Sequence, residues 1–539
     1  MPMTLLSPTD AVSAEAISRI GYVNPFLPER IELERQALGP RFRDEGVVLR
    51  PRSDEDPVES LGNVLAMRER AEALVSAFRL SAEEGGRAGR DELLVYERLV
   101  LYLMYSRYMN SLDGLVSRAI HQPDWEGEVP FWEEYQQEFH TLARLPGHGL
   151  VFTHEPSVIL AGYFQIERAF TEIYHRILGG SMPAARLRAA VWESIFTRDM
   201  GRYLRVLHRV MVNVPTLIVG PSGSGKELVA RAVGLAGFIP FNPGSRTFEV
   251  GDSSRFVPLN LSALAPTLIE SELFGHKKGS FTGAATDRVG WLKTINACGA
   301  VFLDEIGELD PDIQVKLLRL IETRTFHPLG DTVSHTFSGK ILAATHRDLG
   351  EEIRAGRFRH DLYYRLCADQ IVTPSLAEQL DDCPEDLPEL VQFIAWETLV
   401  GRDACPEARD EARDEVERLS REVVEWVERE LEPGYAWPGN FRELGQCVRN
   451  VMVRGRYRPS SRSRASPGLD DFCDRIRRVG LTADQLLGRY YAWAFHQTGG
   501  SYTAAAEKLG VDWRVVKRRL DHDFLDQLRR LDISSPPSS

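Results

Sequence analysis

The segment that most constrains the fold is a short apolar run followed by a glycine-rich loop and a helical stretch, TLIV-GPSGSGK-ELVARAV, at residues 216–233. A strand, a glycine loop and a helix in this order form the phosphate-binding loop in its required context. The glycines allow the backbone to approach phosphates, to which the loop N–H groups and the helix N-terminus offer partial positive charge. The predicted phosphate contacts are Gly220, Pro221, Ser222, Gly223, Ser224, Gly225 and Lys226. Glu227 stands where Ser or Thr usually follows the lysine, so another residue must hold magnesium.

A second apolar run, GAVFL, ends in two carboxylates, Asp304 and Glu305. A buried strand would deliver both at the edge of a sheet where phosphates bind. Asp304 suits magnesium coordination through water, and Glu305 suits polarising an attacking water molecule. Together with the loop, they predict a site for ATP and Mg²⁺.

Further buried strands are predicted at 256–260 and 340–345, and their alternation with helices implies an α/β core with a parallel sheet. Residues 1–185 are predicted to be a helical regulatory or dimerisation domain, with a small-molecule sensor as the alternative, and to contain helices at 92–108 and 158–178 and a turn near 146–149. The aromatic side chains between Trp125 and Tyr135 are expected in its core. The charged segment 406–432 is expected to be a solvated helix of a small lid.

Composition excludes several classes of protein. The chain has 539 residues and a formal net charge of −13, so any DNA contact must come from a locally basic segment. No apolar stretch is long enough to span a membrane, and the N-terminus does not resemble a secretory signal. The six cysteines show no paired spacing, which argues against disulfides and a zinc site. The expected location is the cytoplasm, without a membrane partner.

The C-terminal part, residues 469–531, is predicted to be a compact helical domain after a Ser-, Pro- and Arg-rich linker at 457–468. A helix over 481–498 is followed by a short helix over 501–510, a turn and a basic helix over 513–520. This order predicts a helix-turn-helix. The predicted DNA contacts are Thr503, Arg514, Lys517, Arg518 and Arg519.

Residues 191–456 resemble the AAA+ domain of sigma-54-dependent activators, the bacterial enhancer-binding proteins. The resemblance rests on GPSGSGKELVARAV, on ESELFGH at 270–276 and above all on GSFTGA at 279–284. In that family, glutamate after the lysine is usual, and the GSFTGA segment is a surface loop that presses on the sigma factor. The implied loop residues are Gly279, Ser280, Phe281, Thr282, Gly283 and Ala284. The C-terminal domain resembles the Fis-type domain that often closes this family.

The resemblance implies further roles for single residues. Asn260 would hold the catalytic glutamate, and Thr345 would sense the γ-phosphate. Arg359 and Arg365 would reach a neighbouring subunit's nucleotide as arginine fingers, so hydrolysis would need a homo-oligomer, usually a hexamer in the family. Arg442 would contact bound nucleotide. The alternative for the two fingers is a local pairing with acidic residues.

The chain also departs from the family pattern. Ser280 stands in place of alanine, and His346 stands in place of asparagine. The usual basic pair is missing because Ala377 and Gln379 occupy those positions. About ten extra residues between 234 and 260 are expected to form a surface loop.

The sequence therefore predicts a multidomain α and α/β protein: a helical N-terminal domain (1–185), a P-loop AAA+ core (190–375), a helical lid (376–456) and a helix-turn-helix. The expected function is ATP-dependent activation of sigma-54 RNA polymerase from upstream enhancer DNA. Two alternatives remain: a DNA-binding regulator acting by occupancy, with nucleotide controlling its assembly, and an AAA+ remodeller of another substrate. The signal sensed by residues 1–185 and the target genes are not predicted.

Overall fold

The computed structural model describes residues 5–44, 62–249 except 123 and 153, 256–281 except 264, 284–401, 406–459 except 433, and 482–528 except 523, 526 and 527. The chain divides into two compact units. The first comprises Met1–Glu425 and Gly439–Arg449, and the second comprises Trp426–Pro438 and Asn450–Ser539. Among the described residues, no helix combines the length and the apolar character needed to cross a bilayer.

The N-terminal part is helical, as predicted. Its helices are α1 (Pro8–Ile20), α2 (Glu29–Leu38), α3 (Gly62–Glu83), α4 (Arg90–His121), α5 (Trp132–Leu142), α6 (Pro156–Arg176), α7 (Met182–Phe196) and α8 (Met200–Arg205). A two-stranded hairpin, β1 (Arg144–Leu145) and β2 (Gly149–Leu150), forms the predicted turn. The boundary predicted at residue 185 falls inside α7, so the N-terminal helical region extends beyond this residue, through α8, towards the first strand of the sheet.

The core of the first unit is a five-stranded parallel sheet in the order β13-β3-β12-β9-β6. Its strands are β3 (Thr216–Val219), β6 (Phe256–Asn260), β9 (Ala300–Asp304), β12 (Lys340–Thr345) and β13 (Asp369–Val372). The first four confirm the predicted strands, and β13 is an edge strand that the sequence analysis did not identify.

Helices and short hairpins surround this sheet. The helices are α9 (Lys226–Leu235), α10 (Pro266–Phe274), α11 (Trp291–Thr294), α12 (Pro311–Thr323), α13 (Leu349–Arg354) and α14 (His360–Leu366). The hairpins are β4 (Phe241–Asn242) with β5 (Thr247–Phe248), β7 (Gly275–His276) with β8 (Arg288–Val289), and β10 (Thr325–Phe326) with β11 (His335–Thr336). The lid helices α15 (Leu376–Asp382), α16 (Leu387–Leu399), α17 (Pro406–Glu430) and α18 (Asn440–Arg454) follow.

The two faces of the sheet bury different neighbours. Side chains alternate along each strand, so Phe302 and Leu342 belong to one apolar cluster while Val301 and Ile341 belong to another. The cluster that holds Phe302 and Leu342 also holds the buried side chains of the N-terminal helices. The N-terminal helices and one face of the sheet therefore share a continuous core.

The insertion between residues 234 and 260 is only partly the surface loop that was expected. Its tip, 243–246, is exposed, but Phe241 and Phe248 are buried. The Phe248 ring stacks on Phe164 of α6 with centroids 4.1 Å apart, and Phe241 lies 4.6 Å from Trp132 of α5. The correction has a physical reason: Phe241 and Phe248 are paired across the hairpin and are stabilised by burial, and the N-terminal domain supplies the apolar partner.

Side chains of α6 also bind the end of the helix that begins at the phosphate loop. The last carbonyls of a helix lack partners within it. Gln165 donates from Nε2 to the Ala236 carbonyl at 2.9 Å, and Arg168 donates from Nη1 to Gly237 at 2.9 Å and from Nη2 to Leu235. The N-terminal domain therefore caps α9.

The N-terminal domain is also attached to the lid. The buried Asp386 carboxylate accepts hydrogen bonds from the backbone N–H groups of Gly180 at 2.7 Å and Ser181 at 3.0 Å, just before α7. Bonds from backbone N–H groups to a carboxylate are stronger than those between neutral groups. The N-terminal helices thus contact both α9 beside the sheet and the lid.

Candidate functional site: a phosphate loop with paired carboxylates

The phosphate loop joins β3 to α9 through glycines in conformations that other residues avoid. Gly220, Gly223 and Gly225 have φ values of 151°, 76° and 88°. A Cβ on Gly220 would overlap Thr373, and one on Gly223 would overlap the Gly439 carbonyl. The glycines are therefore required both by backbone conformation and by close packing. The Ser224 hydroxyl fixes the loop from inside, since it donates to the Pro221 carbonyl at 2.8 Å and meets Thr373 Oγ1 at 2.6 Å.

Lys226 lies against the loop that precedes it. Its Nζ donates to the carbonyls of Gly220 at 3.1 Å and Pro221 at 3.0 Å. Burial lowers the pKa of Lys226, while Glu305 and Asp304 act in the opposite direction. The lysine and both carboxylates are thus close enough to interact, which is the arrangement that a phosphate with a divalent cation requires. Glu227 is directed elsewhere and pairs with Arg231 at 3.0 Å.

Asp304 and Glu305 end β9 as predicted. Burial raises the pKa of Asp304, and the neighbouring Glu305 charge adds to this effect. Glu305 has the left-handed φ of 56°, an uncommon conformation for a residue other than glycine, and such outliers cluster at functional sites. Its Oε2 lies 2.7 Å from Nδ1 of His346, which follows β12. The carboxylate chemistry fits a magnesium site at Asp304 and a water-polarising role at Glu305.

Asn260 was expected to hold Glu305, but its Oδ1 accepts hydrogen bonds from the backbone N–H and the hydroxyl of Ser262, at 3.0 and 2.8 Å. His346, named in the sequence only as a departure, occupies the contact with Glu305 instead. Thr345 is fully buried at the end of β12, where its hydroxyl accepts from the Arg347 N–H at 3.1 Å. It lies in register with Val219, the last residue before the phosphate loop.

The lid reaches the phosphate loop through the start of α18. Arg442 donates from Nη1 to the Ser222 hydroxyl at 2.9 Å, and Asn440 donates from Nδ2 to the Ser222 carbonyl at 3.0 Å. The Phe441 N–H donates to the Gly223 carbonyl at 3.0 Å. Arg442 therefore lies at the phosphate loop, and its contact with bound nucleotide stays a prediction.

The two predicted finger arginines lie on the surface around α14 and pair within the chain. Arg359 forms a two-bond ion pair with Asp361, at 2.7 and 3.0 Å, and Arg365 pairs with Glu322 of α12 at 3.1 Å. Their side chains are 45% and 60% exposed, so both ion pairs are weak and can be exchanged for another anion. Pairing within the chain and an arginine-finger role are therefore compatible.

The GSFTGA segment, residues 279–284, lies between the paired strands β7 and β8. The Gly279 N–H donates to the Ala284 carbonyl at 2.9 Å, and the Ala284 N–H donates to the Phe281 carbonyl at 3.0 Å. The Phe281 ring packs edge-on against His276 at 5.0 Å, and Ser280 is half-buried. Thr282 and Gly283 lie outside the described residues. Backbone hydrogen bonds thus link Ala284 to Gly279 and to Phe281.

The second unit contains the predicted three C-terminal helices, α19 (Ala483–Gln497), α20 (Tyr502–Leu509) and α21 (Trp513–Arg519). Gly510, with φ 64°, ends α20, and the Asp512 side chain caps α21 by accepting from the Arg514 N–H. The apolar side chains of the three helices, including Phe495, Ala505 and Val516, form one cluster. All five predicted DNA contacts are exposed: Thr503, Arg514, Lys517, Arg518 and Arg519. The predicted linker 457–468 lies mostly outside the described residues.

Comparison with known proteins identifies the central region. Residues 196–372 match the family model of the sigma-54 interaction domain. The chain is 35% identical over 358 residues to the transcriptional regulatory protein ZraR of Salmonella typhimurium, covering 64% of this chain and 71% of ZraR. It is 33% identical over 364 residues to the response regulator PilR of Pseudomonas aeruginosa, covering 64% of this chain and 69% of PilR.

Other relatives are matched over a shorter part. The regulatory protein LuxO of Vibrio cholerae is 38% identical over 262 residues, 49% of this chain and 50% of LuxO. The chain thus spans half of LuxO and about 70% of ZraR and PilR. Among solved structures, NtrX of Brucella abortus in complex with ATP is similar, with a TM-score of 0.36 and 23% identity over 67% of this chain and 72% of NtrX.

The phosphate loop, the parallel sheet and the lid define a P-loop AAA+ protein. The chain belongs to the family of sigma-54-dependent transcriptional activators, as the resemblance predicted.

Proposed function

We propose that this protein is an ATPase that binds upstream DNA and uses hydrolysis of ATP to remodel sigma-54 RNA polymerase. One observation carries the proposal: the phosphate loop follows β3 and the carboxylates of Asp304 and Glu305 stand at the end of β9, at the same edge of one parallel sheet, within a sigma-54 interaction domain. The loop N–H groups and Lys226 would bind the phosphates, and the carboxylate of Asp304 would hold Mg²⁺ through water.

Glu305 would orient and polarise the attacking water molecule, with His346 fixing its carboxylate. A magnesium ion supplies charge stabilisation to the phosphates when it is bound. Arg359 or Arg365 of a neighbouring copy would neutralise charge on the γ-phosphate, which supports assembly into a homo-oligomer, with a hexamer as the expected form. Both arginines are exposed and need only leave a weak surface ion pair.

The other two contacts follow from the loop and the basic helix. The Gly279–Ala284 segment would transmit the movement of the ATPase core to the sigma factor through Phe281 and Thr282. The exposed cations of α21 would contact DNA phosphates and base edges in the major groove. The N-terminal helices, which cap α9 and hold the lid, would regulate the nucleotide site.

Open-complex formation with sigma-54 polymerase, ATP and enhancer DNA tests the proposal. Thr282→Ala should lose promoter opening and retain ATP hydrolysis, whereas Glu305→Gln should lose both. Thr286→Ala and Glu308→Gln are matched controls, since both are nearby polar residues outside the proposed contacts, and both should keep activity. If the intact protein hydrolyses ATP and binds DNA but opens no sigma-54 promoter, regulation by DNA occupancy replaces this proposal.

A further inference from the structure

A cavity of about 330 Å³ lies between the N-terminal helices and the ATPase core. Ala161 and Gln165 of α6 and Tyr203 of α8 line one side, and residues 236–238 after α9 line the other. Lys340, the first residue of β12, also lines it. The parallel strands begin at this edge, so the cavity lies at the edge of the sheet opposite the phosphate loop. Its volume is at the lower end of the range for small-molecule sites, about 300–1,000 Å³.

The lining combines an apolar surface with positive charge. Its apolar side chains come from both regions and include Ile195, Met211, Val212, Phe238 and Phe241. Its cationic side chains are Arg209 and Lys340, and none of the residues that line it is acidic. His208 also lines the cavity, and burial lowers its pKa. An apolar cavity with a few convergent polar groups of one sign favours a ligand with an apolar body and the opposite charge.

Lys340 is the most informative of these groups because it is half-buried and has no carboxylate at ion-pair distance among the described residues. Its Nζ donates to the Val214 carbonyl at 2.9 Å and reaches the Met211 carbonyl at 3.5 Å. Burial lowers the pKa of Lys340 to about 8; Asp369 opposes this effect and Arg324 adds to it. An ammonium held only by neutral carbonyls remains poorly compensated, and an anion beside it would offset the cost of burial.

We propose that this cavity binds a small monocarboxylate with an aromatic or aliphatic body. The carboxylate would lie against Lys340, and the apolar body would contact Phe238 and Val212. An inorganic anion would leave the apolar surface uncovered, and a neutral molecule would leave Lys340 unpaired. The binding site stands on its own, whether or not the protein acts on sigma-54 polymerase.

A short chain of hydrogen bonds also joins the cavity to the far end of α9, the helix that begins at the phosphate loop. The Tyr203 hydroxyl donates to Gln165 Oε1 at 2.7 Å, and Gln165 Nε2 donates to the Ala236 carbonyl at 2.9 Å, at the end of α9. Tyr203, Gln165 and Ala236 all line the cavity. A bound carboxylate would therefore contact the groups that hold the far end of the phosphate-loop helix, which makes it a candidate signal for the N-terminal domain.

Cys298 provides a native probe because it is partly exposed and lines the cavity. The rate of its alkylation by N-ethylmaleimide, measured by peptide mass spectrometry on the full chain, should fall at least fivefold with millimolar benzoate, phenylacetate or hexanoate. The corresponding amides, which have the same shape without the charge, should need at least tenfold higher concentrations. Cys367 and Cys383 are internal controls, since neither lines the cavity, and their rates should not change.

Two variants separate the charge from the cavity itself. Lys340→Met should lose the preference for carboxylate over amide, and Val212→Trp, which fills the cavity and keeps Lys340, should lose protection by both. No protection by any of the three carboxylates would overturn the site. Equal protection by amides, or by inorganic phosphate, would overturn the proposed ligand class. If Lys340→Met does not fold, the amide and phosphate comparisons in the intact protein still decide between these outcomes.

Discussion

The contact between Arg168 and the end of α9 predicts that the N-terminal domain stabilises the helix of the phosphate loop. The perturbation is Arg168→Met, which keeps an unbranched apolar stem and removes the guanidinium. The side chain is 8% exposed and donates to the carbonyls of Leu235 and Gly237. Arg176→Met is a matched control on the same helix, because Arg176 pairs with Glu172.

The expected magnitude follows from these two bonds. A hydrogen bond from a charged donor contributes about 1.5–3 kcal/mol, and its loss leaves a buried carbonyl unpaired. Burial lowers the pKa of Arg168, which shows that burying its charge is unfavourable. Removing the charge therefore offsets part of the stability lost with the two hydrogen bonds. We therefore expect about 2–4 kcal/mol less stability at the end of α9, which corresponds to an opening equilibrium raised roughly 30-fold to several hundred-fold.

Hydrogen–deuterium exchange measured by mass spectrometry is the assay. Amides of residues 232–238 should exchange faster in Arg168→Met by this factor, and those of the control should not. Affinity for a fluorescent ADP analogue should fall, since binding must then order the helix that carries the phosphate loop. Faster exchange confined to α6, with 232–238 and ADP affinity unchanged, would refute the argument that α6 supports the nucleotide site.

Three further predictions concern other contacts. Phe248→Ala should destabilise the first unit by about 3–5 kcal/mol in chemical denaturation because the ring is 2% exposed and stacks on α6, while Ser245→Ala at the exposed tip should be neutral. His346→Ala should lower kcat for ATP hydrolysis about fivefold with little change in KM, since a partly exposed hydrogen bond to Glu305 contributes about 1 kcal/mol. His346→Asn should restore part of the lost kcat. An increase in kcat would mean that His346 restrains Glu305. The folded pKa of Lys340, about 8, lies below its unfolded value, so the unfolded chain binds more protons between these values. The stability of the protein relative to Lys340→Met should therefore rise as pH increases from 8 to 10, and a flat difference in urea midpoints would contradict this.

Much of the candidate site could be predicted because its parts are short and local. The phosphate loop is a single stretch of backbone in which the glycine positions, the lysine and the following helix depend on each other through chain connectivity. The same holds for α20, Gly510 and α21, where capping residues and a glycine turn define the helix ends. β3, β9 and β12 were predictable because each is a continuous apolar run buried on both faces. The predicted strand β6 lies at the edge of the sheet and has alternating burial.

Other features depended on residues that are distant in the chain. The edge strand β13 has alternating exposure and an ordinary composition, so only its pairing with β3 defines it. His346 meets Glu305, 41 positions away, because β12 and β9 are neighbours in the sheet. Sequence periodicity reports which face of an element is apolar, and it does not report which partner covers that face.

The sequence by itself therefore determined the chemistry of the nucleotide site and the family of the protein, because chain connectivity places those groups together. Only the tertiary structure decided that the N-terminal helices share a core with the sheet, that Phe248 packs on α6, and that Lys340 lines a cavity. These contacts arise from long-range packing, in which the burial of apolar surface selects the partner and carries polar side chains such as Arg168 to the carbonyls they bind.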